Sequence, residues 1–177
     1  MKRRELLAAT CASMAGFAGC SSGDTGQENP TTTPTPLSEY DCPPHESYAG
    51  AAVCSHTVNT GSTSVYLLPS ETTVDASTGT VELTLYNKSS TELVFNPYQW
   101  SIMRKLSSGW EPIEKRSSGN GRLTLSPGET HTWTFGEVVD FINEKVTVDA
   151  GTYTAGINVP NPDGSDWIRC IALFRLA

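Results

Sequence analysis

Residues 81–110, VELTLYNKSSTELVFNPYQWSIMRKLSSGW, constrain the fold more than any other stretch. Val81, Leu83 and Leu85 alternate with Thr80, Glu82 and Thr84. A period of two marks a strand with one buried face, because successive side chains leave opposite sides of the pleat. Asn87, Ser89 and Ser90 then turn the chain, and Leu93 to Phe95 begin the return. Tyr98, Trp100 and Ile102 alternate with Gln99, Ser101 and Met103 before Ser107 to Gly109 turn again. The stretch predicts short antiparallel strands joined by tight connections.

The same reading extends from Ser62 to the last residue. Strands are expected over Ser64 to Leu68, Val81 to Tyr86, Leu93 to Phe95, Tyr98 to Lys105 and Trp110 to Ile113. Four more follow at Arg122 to Leu125, His131 to Phe135, Tyr153 to Val159 and Trp167 to Leu176. Pro127-Gly128 sits at the centre of Ser126–Glu129, which is what a type II turn demands. Glu137 to Glu144 is the one place for a short helical turn. No strand–helix–strand rhythm appears, so a parallel sheet is not expected. The fold class is all-β: an antiparallel sandwich of seven to nine strands, preceded by a disordered stalk.

Asp149-Ala-Gly-Thr-Tyr153 resembles the tyrosine corner of immunoglobulin-like domains, where the hydroxyl bonds back to nearby backbone. The resemblance implies that Ala155 stands where an antibody domain has cysteine, that Leu83 or Leu85 faces it, and that Trp100 takes the place of the core tryptophan. The run LTLYNKSS, LVFNPYQW, GWEPI, LSPGETHTWTF and VDAGTYTAGINV also resembles bacterial and archaeal immunoglobulin-like domains of secreted and surface lipoproteins. It covers about Val65 to Leu176 and implies a fold more than an activity.

The beginning of the chain is built differently. Lys2, Arg3 and Arg4 form a positive cluster, Leu6 to Ala18 is mildly apolar, and Phe17-Ala-Gly-Cys20 puts small residues before a cysteine. This resembles a lipobox behind a twin-arginine export signal, which implies a signal peptide over 1–19 and a lipid on the Cys20 sulfur. Residues 20–38 are rich in Ser, Thr and Pro and have almost nothing to bury, so they read as a stalk. Fully extended, such a stalk reaches ~55 Å. Residues 39–61 read as a cysteine-containing segment packed on the domain, and 62–177 as the sandwich. The implied location is extracytoplasmic, lipid-anchored to the outer face of the cell membrane.

Cys42-Pro-Pro-His45 and Cys54-Ser-His56 leave two readings open. Cys42 and Cys54 can form a disulfide, favoured by an oxidising compartment and a short closed loop. Alternatively Cys42, His45, Cys54 and His56 offer two thiolates and two imidazoles to zinc or copper, at a spacing unlike that of zinc fingers. We favour the disulfide. Cys170 shares parity with Ile168, Ala172, Phe174 and Leu176 in the last strand, so it reads as a buried free thiol.

The net charge is −7, from 12 basic and 19 acidic residues. That sign argues against nucleic acid as a partner. No nucleophile elbow, phosphate-binding glycine loop or metalloprotease helix motif occurs, so no catalytic residue and no cofactor are assigned and the chain reads as a non-enzyme. Asn87-Lys-Ser89 is a glycosylation acceptor sequence on an expected turn. Asn161, Asp163 and Asp166 occupy the loop before the last strand, a candidate binding loop. The expected function is a cell-surface lipoprotein whose immunoglobulin-like module binds a protein or glycan partner, with the membrane reached through Cys20. The alternatives are an inhibitor or accessory subunit of an exported enzyme, given a similar strand order in bacterial proteinase inhibitors, or a metal carrier using the Cys42–His56 patch.

Overall fold

Eleven strands, one α-helix and a short 3-10 helix (Leu37–Glu39) stand among the described residues, and β-branched and aromatic residues at alternating positions explain most of the strands. The structure, a computed structural model, describes residues 34–44, 49–116 and 119–177. In chain order the elements are β1 (Ala49–Cys54), β2 (Val65–Pro69), β3 (Thr73–Val74), β4 (Glu82–Asn87), β5 (Leu93–Phe95) and β6 (Trp100–Leu106). They continue as β7 (Gly109–Pro112), β8 (Leu123–Leu125), β9 (Thr130–Thr134), α1 (Phe135–Asn143), β10 (Gly151–Pro160) and β11 (Trp167–Leu176).

One sheet runs β1-β11-β10-β6-β7, with the short β3 also pairing β11. A second runs β2-β4-β9, and β5 pairs β8 separately. Leu83 and Leu85 of β4, Val65 and Leu67 of β2, and Trp100, Ile102, Ala155, Ile157 and Phe174 of the larger sheet share one core. The arrangement is a β-sandwich. Antiparallel pairing dominates, with β10 register-matched to β11 over its whole length and to β6 over Tyr153–Ile157. The type II turn is present: Glu129 N donates to Ser126 O at 3.1 Å, and Gly128 has φ +80, a conformation without penalty only for glycine.

The nine expected strands are all present, and the structure adds β1 and β3. Both run parallel to β11, so the expectation of no parallel pairing is corrected for these two. Neither pairing needs a crossover helix, because each strand reaches β11 from elsewhere in the chain rather than through a strand–helix–strand unit. The segment read as 39–61 therefore contributes a strand as well as a disulfide. Thr35–Ala177 form one compact unit, which takes in the last residues of the stretch read as stalk.

α1 begins at Phe135, two residues before the expected turn. Its capping box explains the start: Thr134 Oγ1 accepts from Glu137 N at 3.2 Å, and Glu137 Oε2 accepts from Thr134 N at 2.8 Å. Those bonds also hold the Glu137 carboxyl below its ordinary range. Phe135, Val138, Val139 and Ile142 turn inward and close one end of the core. Phe135 meets Phe174 edge-on, with ring centroids 4.7 Å apart. Truncating a phenylalanine in such a position costs about 3–5 kcal/mol.

Candidate functional site

Sequence alternation leaves the outer face of β11 to Arg169, Ile171, Leu173 and Arg175. Yet Arg169, Ile171 and Leu173 are buried, as are Thr152, Thr154 and Asn158 on the outer face of β10. Part of the cover comes from residues 35–44, which lie across this face as a strap. Arg175 Nη2 donates to Thr35 O at 2.6 Å, His56 Nε2 donates to Tyr40 O at 2.8 Å, and the Tyr40 and Trp110 rings meet at 6.0 Å. The Cys42–Cys54 disulfide, with Cα atoms 6.0 Å apart, pins its end to β1. Pro43 is buried beneath it.

The disulfide decides between the two readings of the cysteine–histidine patch. Both sulfurs are consumed in the bridge, so neither is a thiolate ligand. His45 lies outside the described residues, as do Cys20, the stretch read as signal peptide and most of the stretch read as stalk. His56 serves the strap through Nε2, and its buried Nδ1 has no hydrogen-bond partner among the described residues. Cys170 is free and fully buried, and burial pushes its thiol up to about 12.

Asn87 requires a correction. Its side chain is fully buried, and its Nδ2 donates to Thr91 O, Leu125 O and Ser126 O at 2.9, 3.0 and 3.2 Å. Its Oδ1 accepts from Ser89 N and Ser89 Oγ. The amide that a glycan needs is therefore a structural clamp between the β4–β5 turn and the end of β8. The acceptor sequence reflects this local bonding, and the folded domain presents no glycosylation site at Asn87.

The 161–166 loop is a polar hairpin. Asn161 N donates to Asp166 O at 2.9 Å, Asn161 Oδ1 accepts from Asp163 N at 3.0 Å, and Asp163 Oδ2 accepts from Ser64 Oγ at 3.1 Å. The Asn161 and Asp163 side chains hold the turn and dock it to the start of β2, and the Asp166 side chain lies beside Gly50 of β1. No group of three or more metal-ligating side chains occurs among the described residues. At the other end of β10, Tyr153 Oη donates to Asp149 O at 2.9 Å. His131 packs its ring against Trp133 at 4.3 Å, and burial lowers its pKa.

One concavity on the sheet face beside the strap was not anticipated. A groove of about 480 Å³ runs beside β6, with Arg169, Ser101, Gln99, Lys115 and Pro44 of the strap among its walls. A shallower crevice of about 260 Å³ adjoins it through Gln99 and is lined by Asn96, Asn158 and Trp167. Asn158 faces Arg169 in the β10–β11 register, and Arg169 Nη1 donates to Asn158 Oδ1 at 3.3 Å. The guanidinium lies over Gly156, where a Cβ would sit 2.9 Å from Arg169 Nε. A side chain there would force the guanidinium to shift. Lys115 Nζ donates to Tyr98 O at 3.3 Å, and partial burial lowers its pKa. The missed signal was Arg169 itself, a charged residue early in a mostly apolar strand.

No family model and no curated protein matches the chain. Among solved structures it is similar to a β-glucosidase from Erythrobacter marinus at 18% identity and TM-score 0.31, over 63% of this chain and 15% of that one. It is similar to the periplasmic chaperone SfaE at 14% identity and TM-score 0.34, over 63% of this chain and 56% of that one. The archaellum periplasmic stator protein FlaG from Sulfolobus acidocaldarius is similar at 15% identity and TM-score 0.30, over 60% and 98% of the two chains. The chain thus spans 15% of the glucosidase and 56% of the chaperone. At these scores none of them carries an argument about function.

Proposed function

We propose that this chain is an exported surface lipoprotein, anchored through a lipid on Cys20, whose immunoglobulin-like sandwich is a non-enzymatic binding module. The observation that carries the reading is the Cys42–Cys54 disulfide. Structural disulfides persist in oxidising compartments, which agrees with an export signal and lipobox at the beginning of the chain. The lipobox-like Phe17-Ala-Gly-Cys20 supplies the anchor in this reading, and the Pro- and Thr-rich residues after it supply reach.

The sandwich supports a binding role because its concave, charged groove lies on the sheet face beside the strap. Binding sites are commonly concavities with a few convergent polar groups. The test of the anchor is membrane fractionation of the Cys20→Ser variant. The expected result is release from the membrane or retention of the uncleaved precursor. A Cys20→Ser protein that fractionates and migrates like the parent overturns the lipoprotein reading.

A further inference from the structure

Arg169 is 6% exposed, yet its only hydrogen-bond partner among the described residues is the neutral amide of Asn158. Burying a guanidinium without a counter-ion is expensive, and such groups ordinarily pair with carboxylates. Lys115, which also lines the groove, likewise has no carboxylate partner among the described residues. The acidic neighbour Glu114 is taken by Arg116 at 3.1 Å. Among the described residues, two cations therefore line one groove without a carboxylate bonded to either, and the Glu114 carboxylate that also lines it pairs with Arg116, in a protein whose net charge is −7. The long-range field is screened over about 8–10 Å at ordinary ionic strength, so the groove's own charges govern a bound anion.

The groove has a second chemistry. Trp167 is 39% exposed, two residues before Arg169 on the same strand face, and it lines the adjoining crevice. Gln99 is exposed and belongs to both concavities. An open indole face packs against the C–H face of a sugar ring, while amide side chains donate to and accept from hydroxyls. A guanidinium fork and an ammonium recognise a carboxylate.

We propose that this groove binds a carboxylate-bearing saccharide, a uronic acid unit of a glycan. Arg169 and Lys115 take the carboxylate, Trp167 stacks on the ring, and Gln99 meets the hydroxyls. Gly156 keeps the path of Arg169 across the sheet open, and Pro44 forms the wall on the strap side. The proposal rests on the binding-module reading and names its ligand class.

The test is titration of the purified full chain with tri-galacturonate, followed by calorimetry and tryptophan fluorescence. A neutral hexose trimer of the same linkage is the first control. A short peptide with a free C-terminal carboxylate is the second. The expected result is binding of the uronate at least about tenfold tighter than either control, with a change in tryptophan emission. Lys115→Gln and Trp167→Ala alter exposed side chains and are each expected to weaken it by about tenfold or more. Arg169→Gln is expected to abolish it. Should that variant fail to fold, the two exposed variants decide. The proposal is overturned by no uronate binding at millimolar concentration, by equal binding of the neutral trimer, by tighter binding of the peptide, or by insensitivity to Lys115→Gln and Trp167→Ala. None of these outcomes depends on membrane attachment, so they are separate from failure of the lipoprotein reading.

Discussion

The Tyr153 hydroxyl donates to the Asp149 carbonyl at 2.9 Å, so a core side chain fastens the turn that leads into its own strand. The ring is 1% exposed and packs against both Phe135 and Phe174. Burial raises the pKa of its phenol, against the opposing pull of Arg104. Tyr153→Phe keeps the ring packing and strips only the donor. The expected loss is on the order of 1 kcal/mol in urea unfolding, with no change of fold. A variant as stable as the parent would mean that the hydroxyl does nothing for the corner.

Asn87 is expected to be far less tolerant than an asparagine on a turn usually is. Its amide satisfies three carbonyls and orders Ser89. Asn87→Ala leaves those acceptors without a partner in a buried site and should cost roughly 2–4 kcal/mol. The same arrangement predicts no glycan at this position. A glycopeptide bearing sugar on Asn87, recovered from the native source, would contradict the buried placement.

The strands were legible because alternation reports a half-buried sheet directly, as in Leu83 and Leu85 against Glu82 and Thr84. The parity of Ile168, Cys170, Ala172, Phe174 and Leu176 likewise placed them in the core, where they all lie. What alternation does not reveal is what covers the other face. Arg169 reads as solvent-exposed by parity and is buried because β10 and β11 are covered on both sides. β1 escaped notice because Ala49–Cys54 is short, small-residued and glycine-containing, and its pairing with β11 comes from a distant part of the chain. The helix start was readable in principle from Thr134-Phe-Gly-Glu137, a capping-box sequence. The groove was not readable at all, since it joins β6, β11, the strap and residues after β7.

Gly156 links the core sheet to the groove. A methyl group there would approach Arg169 Nε to 2.9 Å, so Gly156→Ala must displace the guanidinium from Asn158. Overpacking of this kind costs about 1–3 kcal/mol. Thermal denaturation should register the loss. The Arg169 side-chain NMR signals should shift while those of the opposite sheet stay in place. Unchanged Arg169 resonances would show that the guanidinium does not lie over Gly156.

His131 gives stability a pH dependence of definite sign. Burial against Trp133 lowers its folded pKa below the ordinary 6.5, so the unfolded chain binds this proton more readily. Its contribution is complete above the unfolded pKa and is lost as pH falls from about 6.5 towards the folded value. Asp75 and Glu137, whose carboxyls are also held below their ordinary values, add a further loss in the lower range where carboxylates protonate. The urea midpoint should therefore fall in two stages on acidification. His131→Gln should flatten the upper stage alone. An unchanged upper stage in that variant would assign it to another group.

The strap predicts how the domain responds to reduction. Cys42 and Cys54 are 12 residues apart in sequence, and closing a loop of this size stabilises by about 3 kcal/mol in the chain-entropy account. Reduction should lower stability by that order without unfolding the sandwich, because the core of β4, β6, β10 and β11 does not depend on the bridge. Among the described residues, the strap then still has the Thr35–Arg175 and Tyr40–His56 bonds, the Tyr40–Trp110 contact and the packing of buried Pro43. Its loosening should expose Ile171 and Leu173 on the outer sheet face, raising amide exchange there before any change in β4. Cys170 provides an internal control: with its thiol buried and pushed up to about 12, it should resist alkylation in the native state, reduced or not. Intact mass of the unreduced chain should be lighter than the all-thiol form by the hydrogens lost on oxidation, and a tryptic map should join the peptides carrying Cys42 and Cys54. If reduction leaves both the denaturant midpoint and the exchange of β11 unchanged, the disulfide does not hold the strap. If Cys170 is alkylated as fast as the reduced Cys42, the last strand is not packed as described.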